Sequence, residues 1–134
     1  MSIRYVVDTH ALIWYLEGNT RLGDEARRVL SEPESTLHVP AMVHAEAVWL
    51  IERKKVGLDS IPALLDTLSR DPRIKLIPLD LRIIEAGTHL SAINEMHDRL
   101  IVATAICLRD SENDAILISR DESISASGLV KVLW

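Results

Sequence analysis

The amino-acid sequence predicts an α/β fold, a three-layer α/β/α sandwich around a central, mostly parallel sheet. Two observations carry that expectation. Short apolar β-rich runs alternate along the chain with longer helical patterns, the order that builds βαβ units. The strand candidates "YVV", "KLIPL" and "AILIS" are also continuously apolar, as strands are when helices cover both faces of a sheet. Residues 1–134 read as one domain, long enough to bury a sizeable core and free of repeats or low-complexity linkers.

In chain order, a first strand is expected over 3–7, running into a helix over 9–17 with Asp8 at the seam. A helical pattern over 22–32 precedes a strand over 37–39. The next helix, 41–55, places Met42, Val43, Trp49 and Leu50 around Glu46 and ends in the solvated charges "ERKK". A helix over 60–70 leads to the strand 74–78, and another helix is expected over 80–94. The pattern over 97–110 sets Leu100, Ala103, Cys107 and Leu108 at helical spacing. Strands over 115–118 and 130–133 flank a short "ESISAS" turn.

Composition narrows the function classes. Apolar residues make up 48% and charged residues 26%, the balance of a folded globular chain. Apolar runs such as "AVWLI" fall far short of the roughly 20 residues a membrane span needs. The N-terminus enters a strand with no hydrophobic signal core, so a cytoplasmic protein is expected. Cys107 stands alone, which excludes a disulfide framework and reads as a buried, inert thiol. The net charge of −5 argues against a generic nucleic-acid binder.

Four acids stand out. Asp8 and Asp121 follow the strands "YVV" and "AILIS", and ligands of open parallel sheets bind beyond such carboxyl ends. Glu46 lies among apolar neighbours on its helix. Asp98 lies near the start of an apolar helix, with Ile101 and Val102 on its own face. Singly, each has a structural reading. Asp8 and Asp121 would cap helical turns, Asp98 would favour the positive end of its helix, and Glu46 would pair with an arginine. Together they point to one site.

Several carboxylates in a partly shielded site repel one another, and a hard divalent cation removes that repulsion. All-oxygen ligation suits Mg²⁺ or Mn²⁺ and not Zn²⁺. One such ion or two would serve attack of water on a phosphodiester. Neither a dinucleotide-binding nor a P-loop signature occurs, so no nucleotide cofactor is expected. His10, His38, His44, His89 and His97 show no metal-ligand spacing. Trp14 and Trp49 read as core or interface residues, and Arg53, Lys54 and Lys55 as a solvated helix end or a contact to a phosphate backbone.

The motifs "YVVDTHALIWYL", "HAEAVWL", "HDRLIVATA" and "LISRDESI", in this order, resemble the PIN-domain ribonucleases, most closely the VapC-type toxins of toxin–antitoxin pairs. The similarity runs from Ile3 to Trp134; it departs where Ile124 stands in place of an aromatic residue frequent in the family. The resemblance implies a Mg²⁺- or Mn²⁺-dependent endoribonuclease with Asp8, Glu46, Asp98 and Asp121 as catalytic, metal-binding acids. Thr9 and Ser119 would orient them, and Arg99 would contact phosphate or pair with a surface acid. It also implies an RNA substrate, a cognate antitoxin and a homodimer. Two rivals remain: a PIN-fold protein-binding module without turnover, and a haloacid-dehalogenase-like phosphatase. The phosphatase would require a second Asp where this chain has His10.

Overall fold

A computed structural model describes residues 2–134. The chain runs β1 (Ser2–Val7), α1 (Thr9–Glu17), α2 (Asp24–Ser31), β2 (Leu37–Pro40), α3 (Ala41–Glu52), α4 (Ile61–Arg70), β3 (Ile74–Ile77), α5 (Leu81–Gly87), α6 (Met96–Leu108), β4 (Asn113–Ile118), α7 (Glu122–Ser127) and β5 (Lys131–Leu133). The strands form one sheet in the order β3-β2-β1-β4-β5, every neighbouring pair parallel. The α/β/α sandwich expected from the sequence is the fold observed, and its sheet is wholly parallel.

β1 is the spine. Val6 and Val7 are fully buried, and the strand pairs along its whole length with β4, from Ser2 opposite Asn113 to Val7 opposite Ile118. Leu117 and Ile118 of β4 and Val39 of β2 are equally buried. Such strands tolerate no alternation because helices lie on both sides. The chain leaves β1 toward β2 on one side and later returns to β4 on the other. The order therefore reverses between β1 and β4, where the carboxyl ends open a crevice.

The helix after β1 is more deeply buried than its sequence position suggests. Ala11, Leu12, Ile13 and Trp14 of α1 all belong to the core. Trp49 of α3 is the converse: it is 49% exposed, outside the core, with the Arg53 guanidinium 5.0 Å from its ring centroid. Cys107 is half-buried. The expected helix over 80–94 stops at Gly87, where the backbone bonds tighten to three-residue spacing, from the His89 N–H to the Ala86 carbonyl at 3.2 Å and from the Leu90 N–H to the Gly87 carbonyl at 3.1 Å, and a loop takes over up to Met96. The helix expected to reach Lys55 ends at Glu52, and Lys54 adopts the left-handed region at φ 53°. The "ESISAS" turn is a short helix, α7, closed by Gly128 at φ 68°.

Trp134 seals one end of the core. Its ring meets Trp14 edge-on, with centroids 5.8 Å apart. Gly23, which caps α2, lies directly beneath it. A β-carbon there would sit 2.6 Å from the Trp134 ring and closer still to its backbone. Gly23→Ala is therefore expected to destabilise the protein by about 1–3 kcal/mol through overpacking. Urea denaturation checks this, and a midpoint equal to wild type would contradict the packing described.

Candidate active site

Asp8 is the first residue beyond β1. Its backbone N–H donates to the Ile118 carbonyl at 3.1 Å, which continues the β1–β4 ladder by one step. Its carboxylate caps α1 by accepting from the Thr9 N–H at 2.6 Å. The other carboxylate oxygen accepts from the Ser119 hydroxyl at 2.7 Å. Ser119, just past β4, also accepts from the Asp121 N–H at 3.1 Å. One buried hydroxyl thus ties together two of the four acids. Thr9, equally buried, donates its hydroxyl to Glu46 at 2.5 Å. Glu46 is only half-buried, because its neighbour Trp49 turns outward and leaves that face of α3 open.

The remaining acids are placed by helix starts. Asp98 sits in the first turn of α6, whose N-cap is Glu95; the Glu95 carboxylate accepts from the backbone N–H groups of His97 at 3.0 Å and Asp98 at 2.9 Å. Asp121 caps α7, accepting from the N–H groups of Ser123 and Ile124 and from the Ser123 hydroxyl. Asp8, Glu46, Asp98 and Asp121 all line one cavity of about 1170 Å³ at the carboxyl edge of the sheet. The structural readings of Asp8 and Asp121 as caps hold as well. A single carboxylate performs both tasks.

The electrostatics of this cavity are those of crowded like charge. None of the four acids takes part in an ion pair among the described residues. Burial pushes the Asp98 carboxyl up to about 7, and the charges of Asp121, Asp8, Glu95 and Glu46 add to the rise. Burial also raises Asp8, against the opposing hydrogen bonds of Ser119 and Thr9. Asp121 is held below the usual carboxylate range, chiefly by the Ser123 hydroxyl. The donor set is all oxygen, which is the chemistry that hard divalent cations select. Among the described residues, no three His, Cys, Asp or Glu side chains are grouped closely enough to hold a metal ion. Asp8, Glu46 and Asp121 are each turned toward a hydroxyl or backbone donor of their own. Shared ligation of a cation would require some of these side chains to turn.

The profile of the PIN domain family matches residues 5–127. The chain belongs to that family. Three solved structures share its fold. One is a toxin–antitoxin complex from Klebsiella pneumoniae, 19% identical, with 97% of this chain and 96% of that chain covered at a TM-score of 0.71. Another is VapBC2 from Rickettsia felis bound to a DNA fragment from its promoter, 17% identical, with 98% of each chain covered and the same TM-score. The third is FitAcB from Neisseria gonorrhoeae, 16% identical, with 97% and 96% covered, again at 0.71. No curated protein sequence matches the chain. Membership of the PIN family displaces the phosphatase reading.

This PIN domain does not bring Arg99 into the cavity. Its guanidinium donates instead to the Ile93 carbonyl and fastens the loop before α6. The cations that do line the cavity are Arg21 and Arg120, with His10 and His97 beside them. Sequence patterns left Arg21, Arg120 and Glu95, which also lines the cavity, unmarked. Arg120 adjoins Asp121 and Glu95 lies three residues before Asp98, so proximity to a candidate acid was a usable signal for both. Arg21, in the loop between α1 and α2, carried none.

The pH dependence of stability follows from Asp98. Its carboxyl titrates near 7 in the folded chain and near 3.8 when unperturbed. The native state therefore binds more protons between these values, and stability present at the acid end is lost as pH rises through about 7. In EDTA, the melting-temperature advantage of Asp98→Asn over wild type should grow between about pH 5 and about pH 8. Taking the difference cancels His38, whose burial lowers its pKa and acts in the opposite sense. A constant difference across that range would refute the raised carboxyl.

Proposed function

We propose that this protein is a Mg²⁺- or Mn²⁺-dependent endoribonuclease and the toxin of a toxin–antitoxin pair. The observation that carries the reading is the meeting of four unpaired carboxylates, from four separate segments, in one cavity at the switch point of a parallel sheet. Asp8 and Asp98 are the principal metal-holding residues in this reading, completed by Glu46 and Asp121. A bound divalent cation would supply a more acidic water and neutralise charge on the phosphodiester. The chain's own hydroxyls do the positioning: Ser119 holds one oxygen of Asp8, and Thr9 holds Glu46. The products would be a 5′-phosphate and a 3′-hydroxyl.

The toxin assignment is supported by family membership and by the likeness to structures named as toxin–antitoxin complexes. An antitoxin would place a basic side chain, commonly Arg, against these carboxylates, since a guanidinium pairs bidentately with them. An apolar groove beside the cavity, lined by Met42, Trp49, Leu79, Met96 and Leu100, is a surface of the kind that a protein partner or a second copy covers. No helix among the described residues is long and apolar enough to cross a membrane. The rival reading, a binding module without turnover, draws on the protein donors that already engage three of the acids.

Cleavage of labelled single-stranded RNA in Mn²⁺ and in EDTA separates the two readings. Wild type is expected to cut only with the metal and to melt higher in it. Asp98→Asn and Glu46→Gln should fold normally by circular dichroism and lose cleavage. Ser119→Ala, which removes only an orienting hydroxyl, should lose about 10–100-fold. No Mn²⁺-dependent melting shift and no cleavage would leave the binding module. Growth arrest on expression alone, relieved by the product of the neighbouring gene, is expected of the toxin, and harmless expression of cleaving protein would remove that part of the reading.

A further inference from the structure

The cations that flank the carboxylates are arranged on a support. Trp14 is buried, and two guanidinium groups lie over its ring, Arg21 at 4.7 Å and Arg120 at 4.8 Å from the ring centroid. His10 and Trp134 meet the same ring edge-on at 5.6 and 5.8 Å, so the indole is fixed on several sides. Neither arginine joins an ion pair among the described residues, although the chain is acidic overall and Glu95, Glu122 and Asp121 line the same cavity. Arg21 makes one long side-chain hydrogen bond, 3.4 Å to Asn19. Stacking on an aromatic face holds a guanidinium in place while leaving its in-plane donors open.

The cationic surface continues. A second cavity shares His10, Trp14 and Arg21 with the first and extends to Lys54 and Lys55. Its one carboxylate, Glu17, is occupied, accepting from the Gly57 N–H at 2.5 Å and from Asn19 at 3.2 Å. Lys54 holds φ 53°, a backbone region where glycine is free of cost and a side chain is not. The chain thus accepts a local strain at a position that keeps a lysine beside the groove.

We infer that a single-stranded RNA leaves the carboxylate cavity along this wall, its phosphates passing from Arg120 and Arg21 to Lys54 and Lys55. The inference rests on the ribonuclease reading and adds the path of the substrate to it. The buried face of Trp14 is closed to bases, so the contact is to the backbone, tolerant of sequence and dependent on salt. In this arrangement the carboxylate centre repels phosphate until a cation binds, while the wall beside it attracts the strand. Arg21 and Arg120 contact the substrate backbone and take no part in breaking the bond.

The test is fluorescence anisotropy of a labelled oligouridylate in EDTA, titrated over a salt series, with cleavage of the same RNA in Mn²⁺ measured in parallel. Arg21→Gln, Arg120→Gln and Lys54→Gly should each bind several-fold more weakly. Each should also lower the slope of log affinity against log salt by about 0.7, the value for one phosphate contact on a single strand. Cleavage should show a raised KM with kcat little changed. Lys131→Gln, on β5 and paired with Asp114, serves as the control and should match wild type. Lys54→Gly sharpens the result, because relief of the positive φ should raise its melting temperature while its binding falls. Wild-type affinity and slope in the three variants would overturn the wall and leave a cleaving enzyme intact. Wild type that binds through these residues yet never cleaves would overturn the ribonuclease reading and leave the wall. A wild type that does not bind the oligouridylate would overturn the inference outright.

Discussion

Everything distinctive in this molecule depends on keeping negative charge at the carboxyl edge of a parallel sheet. A lone carboxylate at the seam of β1 and α1 would be costly, since it is desolvated there. The chain lowers that cost with short polar contacts drawn from both sides of the switch point. The Thr9 N–H comes from the helix that Asp8 itself caps, and the Ser119 hydroxyl comes from the end of β4. The long parallel register between β1 and β4 delivers Ser119 to that place. Capping and charge placement are therefore one arrangement. The residue that starts α1 is also the one the proposed chemistry needs.

The same edge carries an electrostatic contrast. Asp98 is pushed up to about 7 because it is buried and faces Asp121, Asp8, Glu95 and Glu46, while nearby two arginines lie on Trp14 without an ion-pair partner among the described residues. Opposite charges this near each other would ordinarily collapse into ion pairs. The aromatic ring prevents that by giving each guanidinium a favourable resting place on its faces. Burial of Trp14 against Trp134, and of Trp134 over Gly23, is what keeps the ring in position. Packing at the sheet edge thus supports charge separation, and charge separation is what a phosphate-cleaving site with a backbone-binding wall would use.

Much of the fold was legible. Unbroken apolar strands such as "YVV" and "AILIS" belong to sheets covered on both faces, and the alternation with helices made the sheet parallel. The acids were legible for a related reason: strand ends and helix starts are recognisable positions, and charge there needs an explanation. Where expectation failed, a long-range contact or a local turn had overridden periodicity. The helix from Leu81 stops at Gly87 because the next backbone N–H groups, His89 and Leu90, bond three residues back and tighten the chain into turns. Trp49 is 49% exposed although its spacing matches an apolar stripe; it lines an open groove, with the Arg53 guanidinium against its ring.

The sequence by itself determined the layered architecture, the four acids and the hydroxyls beside two of them, since each is set by periodicity or by a motif spanning a few residues. Tertiary structure alone decided which cations face those acids. Arg99 adjoins Asp98 in the chain, yet it turns to the Ile93 carbonyl because its backbone position in the first turn of α6 aims it there. Arg21 lies 77 positions from Asp98 and carries no local signature, yet the packing of α1 under its loop brings it to the same cavity. A helix start constrains only its own first turn. The companions of a charge across a crevice are set by how whole elements pack, and that information is not local.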